Sequence, residues 1–258
     1  LNYTYVTLLS SVDYLPGILA LNDNLKNIGC KYPLHIMVTN NVIVHISKYL
    51  IKEKIPFTIV PKITYSPETI AAMNNARLET IASKINVFRL EELEKVVYLD
   101  TDSYFIKPID ELFNYPDGAL YDCGEPRGFC GLFTCIPRMH PLDYYISLLK
   151  HNHMWESDLI EELWFPFKSN PDYRIPYSYF VNTKVQDFNT LLPIEEKVHG
   201  FHFCGELKPW KFKNPYDYIT AFHKEWPFPN ENRNKIIKDY YYQYIQPIKD
   251  KYPEIFTY

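Results

Sequence analysis

Over residues 3–99, short apolar and β-branched runs alternate with stretches of helical apolar spacing. This alternation restricts the fold more than any other feature of the chain. Residues 3–9 (Tyr-Thr-Tyr-Val-Thr-Leu-Leu), 34–39, 57–60 and 96–99 read as strands. Leu15, Ile18, Leu19, Leu21, Leu25 and Ile28 recur at helical spacing and Gly29 supplies a stop, which predicts a helix over 14–28. Residues 42–54 and 68–92 are also predicted helical. Strict alternation builds right-handed βαβ units around a parallel sheet.

The later part of the chain is less regular. Residues 118–122 and 129–136 are strand-like, and 141–150 and 156–165 have helical spacing. From residue 170 onward Pro and Tyr are frequent, and 231–246 is predicted as a last helix carrying Tyr240, Tyr241, Tyr242 and Tyr244. No repeat, low-complexity tract or linker separates the parts. The expectation is therefore one α/β domain with a shared cleft.

Composition narrows the function. A chain of 258 residues with 47% hydrophobic content can bury a sizeable core. A net charge of −4 argues against a nucleic-acid partner. The five Cys are odd in number and form no Cys-x-x-Cys pair, which reads as reduced thiols of an intracellular, cytoplasmic protein. No apolar run reaches transmembrane length, and no signal-peptide pattern opens the chain. Asn2-Tyr3-Thr4 matches a glycosylation sequon but falls in the first predicted strand. There are eight Gly and no Gly-rich phosphate loop, so a bound nucleotide would need a metal and side chains to hold its phosphates.

The fourth strand reads Val96-Val97-Tyr98-Leu99 and runs into Asp100-Thr101-Asp102. A continuous apolar run fits a strand buried on both faces. Side chains at i and i+2 of an extended segment point the same way. Asp100 and Asp102 can thus converge beyond the carboxyl end of the strand, where open α/β sheets bind ligands. Two hard oxygen ligands suit Mg²⁺ or Mn²⁺. An ordinary strand-to-turn exit also often carries Asp, so the motif alone does not decide.

Residues 202–210 read His-Phe-Cys-Gly-Glu-Leu-Lys-Pro-Trp. His202 can offer an imidazole to a Mn²⁺-type site. Gly205 allows close backbone approach to a phosphate, and Lys208 can place a point charge on a diphosphate. Taken alone, the stretch reads more readily as a tight loop with a packed Trp and a solvated Lys.

Together, Asp100-Thr101-Asp102 and the spacing His202-x-x-Gly205-x-x-Lys208-Pro209-Trp210 resemble the glycogenin-like members of glycosyltransferase family 8. Val6-Thr7-Leu8, Ser10, Tyr14 and Gly17 match the family's first strand and helix, and Lys84 lies 16 positions before Asp100 as its donor-site lysine does. The resemblance covers about residues 3–212. It implies a GT-A fold, with a mostly parallel, Rossmann-like central sheet flanked by helices. It also implies a catalytic domain over 1–212 followed by a C-terminal helical extension over 213–258, and transfer from a UDP-sugar with retention.

The cofactors implied are Mn²⁺, with Mg²⁺ as the alternative, and UDP-glucose, with another UDP-hexose as the alternative. The acceptor implied is a glycan or protein, and a homodimer stays open. Asp100, Asp102 and His202 resemble the metal ligands, with Thr101 between the carboxylates. Leu8, Ser10 and Tyr14 match the contacts to uracil and ribose. Arg77 and Lys84 match positions near the sugar diphosphate, with Arg77 off the family spacing by two residues. Gly205 and Lys208 would face the diphosphate. Asp158, Glu161 and Glu162 occupy the place of the family's Asp-Gly-Gly-Asp-Gln segment in degraded form. Lys84, Glu161 and Lys208 are the residues assigned to the chemistry.

Two departures matter. The family's Asn-Ser-Gly appears as Phe129-Cys130-Gly131. Cys130 keeps a place in the donor site, but the lost Asn leaves the sugar identity open. The interval 183–200 contains no Tyr, whereas self-glucosylating members carry their acceptor there. Two rival readings remain. A non-catalytic nucleotide-sugar-binding relic is supported by the degraded segments. A haloacid-dehalogenase-type phosphohydrolase would need an earlier motif and a later acidic pair.

Overall fold

The computed structural model describes residues 2–72, 76–122, 129–151 and 166–256. Its strands are β1 (Tyr3–Leu9), β2 (Leu34–Thr39), β3 (Phe57–Val60), β4 (Lys95–Leu99), β5 (Ser103–Phe105), β6 (Leu120–Tyr121), β7 (Phe129–Cys135), β8 (Arg174–Ile175), β9 (Val181–Asn182) and β10 (Gly200–His202). The chain forms two compact units. One comprises Leu1–Val12, Tyr32–Asp100 and Asp110–Tyr177; the other comprises Asp13–Lys31, Thr101–Ile109 and Ser178–Tyr258.

The first unit holds a seven-stranded sheet in the order β3-β2-β1-β4-β7-β6-β8. β3, β2, β1 and β4 pair parallel, as alternation predicts. β7 runs antiparallel to both β4 and β6. Val96, Val97, Tyr98 and Leu99 are all buried, so β4 is covered on both faces. Tyr98 stacks on Phe133 of β7 with ring centroids 4.8 Å apart. Val6, Met37, Val96, Tyr98 and Phe133 belong to one core cluster with Ala82, Ile85 and Phe88.

The expected helix over 68–92 takes another form. An α-helix covers Pro67–Ala72, and a 3₁₀ stretch covers Ala76–Arg89. Side-chain hydrogen bonds account for the difference. Ser83 Oγ donates to Ile63 O at 3.2 Å and accepts from Ile63 N at 2.9 Å, while Asn86 Nδ2 donates to Pro61 O at 2.9 Å. Apolar Ala82, Ile85 and Val87 and polar Ser83, Lys84 and Asn86 are buried together, so residues 82–88 show no solvent-facing stripe of the kind an amphipathic helix presents. The expected helix over 156–165 lies outside the described residues.

The second unit holds a three-stranded sheet, β5-β10-β9, with β10 antiparallel to β5 and parallel to β9. Helix α1 (Leu15–Asn27) forms where the apolar spacing predicts it. Its buried Asn24 takes the place of a strand partner: Nδ2 donates to Phe105 O at 2.8 Å and Oδ1 accepts from Phe105 N at 2.7 Å. Helices Pro215–Glu225 and Glu231–Tyr240 start at Asn214 and Asn230, whose side chains accept from backbone N–H groups of the first turn.

The last predicted helix is interrupted. A π-helical turn at Tyr241–Ile245 joins Glu231–Tyr240 to Gln246–Lys251. The extra residue in that turn lets Tyr240, Tyr241, Tyr244 and Ile245 all be buried, while Tyr242 stays exposed. Among the described residues, no helix is long and apolar enough to cross a membrane.

Candidate active site

Strand β4 ends at Leu99 and β5 begins at Ser103, so Asp100-Thr101-Asp102 is the turn between them. Asp100 N donates to Gly131 O at 2.8 Å, which fixes the start of the turn to β7. The Asp100 carboxylate lies 3.0 Å from Lys84 Nζ. Lys84 is buried in the 3₁₀ stretch, and its ammonium sits 5.1 Å from the centroid of the Tyr98 ring. The apolar packing of that stretch thus delivers one cation to the first carboxylate.

The second carboxylate is buried and receives two partners from much later in the chain. His202 Nε2 lies 3.1 Å from Asp102 Oδ1. Lys208 Nζ pairs with Asp102 Oδ2 and also donates to Phe203 O at 2.8 Å. Burial alone would raise the Asp102 pKa. The Lys208 charge and then His202, each also hydrogen-bonded to the carboxylate, outweigh it and hold the group well below the ordinary carboxylate range.

Strand pairing aims His202. Its imidazole stacks on Phe180 at 4.5 Å with the planes 13° apart. Its carbonyl accepts from both Thr183 N at 3.0 Å and Thr183 Oγ1 at 3.2 Å. Phe180 and Thr183 escaped the sequence reading because the pairing of β9 with β10 spans some twenty residues without periodicity. Gly205 has φ +95°, a conformation that favours glycine. Lys208 leads into the 3₁₀ turn Pro209–Lys211, and Trp210 Nε1 donates to Asp13 O at 2.9 Å.

One ligand atom from each of Asp100, Asp102 and His202 lies within 4.8 Å of the others. Two carboxylates and an imidazole form a hard, mixed O/N donor set, which fits Mn²⁺ or Mg²⁺ better than a thiophilic ion. The lysine contacts on both carboxylates mark the turn as a place that stabilises positive charge.

The remaining predicted residues are placed as follows. Leu8 lies in β1 opposite Met37 and packs against the core cluster, and Ser10 follows that strand directly. The Tyr14 ring meets Trp210 edge-on at 5.6 Å. Thr101 is buried. Arg77 lies in the 3₁₀ stretch and Cys130 in β7, but their side chains are outside the described residues. Asp158, Glu161 and Glu162 also lie outside them.

No family model matches the chain. It is 31% identical to Galactinol synthase 10 of Arabidopsis thaliana over 242 residues, covering 83% of this chain and 73% of that protein. It is 24% identical to Glycogenin-1 of Caenorhabditis elegans over 217 residues, covering 80% of this chain and 50% of that protein. The chain thus spans about half the length of that glycogenin. Among solved structures it is similar to the galactosyltransferase LgtC with donor and acceptor sugar analogs. That match has a TM-score of 0.55, 14% identity, and covers 91% of this chain and 95% of the other. The likeness to LgtC concerns the fold, and it agrees with the GT-A architecture that the motifs imply.

Proposed function

This chain belongs to the glycogenin-like glycosyltransferases of family 8, and from that premise we propose that it moves a hexose from a UDP-sugar to a hydroxyl of a glycan or protein acceptor, with retention of anomeric configuration. One observation carries the reading: His202 and Lys208 both engage Asp102, 100 and 106 residues earlier in the chain. The proposed catalytic domain is 1–212, with 213–258 as its helical extension.

Asp100, Asp102 and His202 would hold a divalent cation, Mn²⁺ first and Mg²⁺ second. When bound, the ion supplies Lewis-acid stabilisation of the diphosphate leaving group. Lys208 and Lys84 add fixed positive charge where the leaving group becomes more negative. Leu8, Ser10 and Tyr14 would receive the uridine, and Arg77, Thr101 and Gly205 the diphosphate. Cys130, Asp158, Glu161 and Glu162 would surround the sugar, with Glu161 orienting it or stabilising the anomeric centre.

The transfer breaks the bond between the anomeric carbon and the diphosphate oxygen and forms one to the acceptor oxygen. The acceptor's proton passes to the departing diphosphate, so no strong protein base is required. UDP-glucose is the proposed donor. Similarity to galactinol synthase and to a galactosyltransferase makes UDP-galactose the alternative to test beside it.

The test is release of UDP from each donor with Mn²⁺, with Mg²⁺ and with excess EDTA, with and without glycan acceptors. Metal-dependent release from one UDP-hexose supports the reading. Calorimetry that finds GDP bound as tightly as UDP, or full turnover in EDTA, would overturn it.

A further inference from the structure

In the segment Asn182-Thr183-Lys184-Val185, Thr183 holds His202, and Lys184 runs beside the turn that carries Gly205. The backbone of the segment is clamped at each residue. β9 pairs Asn182 with His202, and Thr183 bonds the His202 carbonyl. Lys184 N donates to Asn182 Oδ1 at 2.8 Å, and the guanidinium of buried Arg233 holds the Val185 carbonyl. The Lys184 side chain, by contrast, is held at its end by Glu225.

That side chain reaches the turn. A Cβ placed on Gly205 would fall 2.7 Å from Lys184 Nζ and 3.3 Å from its Cε. The lysine therefore fills the space left by the missing side chain at Gly205. Its ammonium pairs with Glu225; the two side chains are 19% and 42% exposed. This partner differs in kind from that of Lys208, which is buried between Asp102 and a carbonyl. A partly exposed pair contributes little net stability, so exchanging its anion costs little; stripping one partner from a buried pair costs far more.

We infer that Lys184 is a further diphosphate-binding residue, held by Glu225 until a nucleoside diphosphate reaches the Gly205 turn and takes its place as the counter-anion. The inference rests on the donor-site reading above and extends it to a residue outside the His-x-x-Gly-x-x-Lys motif. The exchange is stoichiometric: one carboxylate leaves the ammonium and one phosphate oxygen arrives, with no proton transferred.

The two partners make opposite predictions under substitution. K184M removes the cation and should weaken UDP binding about tenfold, the scale of one charge-assisted contact. K184R keeps the charge and should recover most of it. E225Q removes the competitor and should tighten UDP binding. Binding of uridine, which lacks phosphates, should be the same in all three.

The experiment is calorimetric titration of the whole chain, with Mn²⁺ present, by UDP and by uridine. If Lys184 and Glu225 merely brace the turn, K184M and E225Q will weaken UDP binding alike, which overturns the inference. Unchanged UDP binding by K184M beside normal wild-type binding also overturns it, and leaves the glycosyltransferase reading standing. A wild-type chain that binds no UDP overturns both.

Discussion

Asp102 and Lys208, 106 residues apart, form an ion pair whose side chains are 10% and 2% exposed, and His202 closes on the other carboxylate oxygen at 3.1 Å. Breaking such a pair from one side leaves a buried charge without its partner. Lys208→Met should therefore cost about 3 kcal/mol of stability in EDTA, read by urea unfolding. Excess Mn²⁺ should recover part of that loss, because a bound cation again neutralises Asp102. A loss under about 0.5 kcal/mol, the range of ordinary surface substitutions, would contradict the burial of this pair.

The same carboxylate sets an acid dependence. Its folded pKa lies below its unfolded value, so its stabilising contribution is complete above about pH 4 and is lost as pH falls through the folded value. Asp102→Asn should remove that contribution and flatten the acid limb of the stability profile. Urea midpoints measured from pH 6 downward in both proteins check this. Parallel profiles would count against it.

Gly17 packs under Trp210. A Cβ at Gly17 would meet three ring atoms of Trp210 at 2.6–2.9 Å. Gly17→Ala should cost about 1–3 kcal/mol, the range for overpacking a filled core. Trp210→Phe frees space at the same spot, so the double variant should be less destabilised than the sum of the singles. Strict additivity in thermal melts would show that the two residues do not share the contact.

These cases mark what was legible in the sequence. The four parallel strands and α1 were readable because each has a clean period, and the Asp-x-Asp turn because it terminates the most apolar of those strands. Lys84 stands out in the sequence only because the family resemblance expects a lysine 16 positions before Asp100; the structure places it 3.0 Å from that carboxylate, on a segment that is 3₁₀ rather than α-helical. Phe180, Thr183 and Lys184 were not legible. They flank β9, whose long-range parallel register with β10 leaves no local signal in the sequence. The π turn at Tyr241–Ile245 was hidden for a related reason, since a run of tyrosines fits an unbroken helix equally well until burial decides which face each ring takes.

The last prediction concerns self-modification, which should be weak or absent from the segment before the His202 turn. That interval contains no Tyr. Its two threonines differ in access. Thr183 is fully buried and its hydroxyl donates to the His202 carbonyl, so it cannot serve as an acceptor without unpairing the strand. Thr190 is exposed, but its hydroxyl donates to Asp187 O at 2.8 Å, and an aliphatic alcohol is far harder to deprotonate than a phenol with a pKa of about 10. The nearest upstream tyrosines are engaged in packing: Tyr179 stacks on His199 at 4.1 Å, and Tyr177 stacks on Tyr121 at 6.1 Å. In the C-terminal helices Tyr240, Tyr241 and Tyr244 are buried, and burial pushes the Tyr240 pKa well up, away from easy deprotonation. A separate acceptor is therefore expected. Intact-mass spectrometry after incubation with UDP-glucose, UDP-galactose and Mn²⁺ should show the unmodified chain mass. A ladder of hexose additions mapping to residues 177–200 would contradict the prediction.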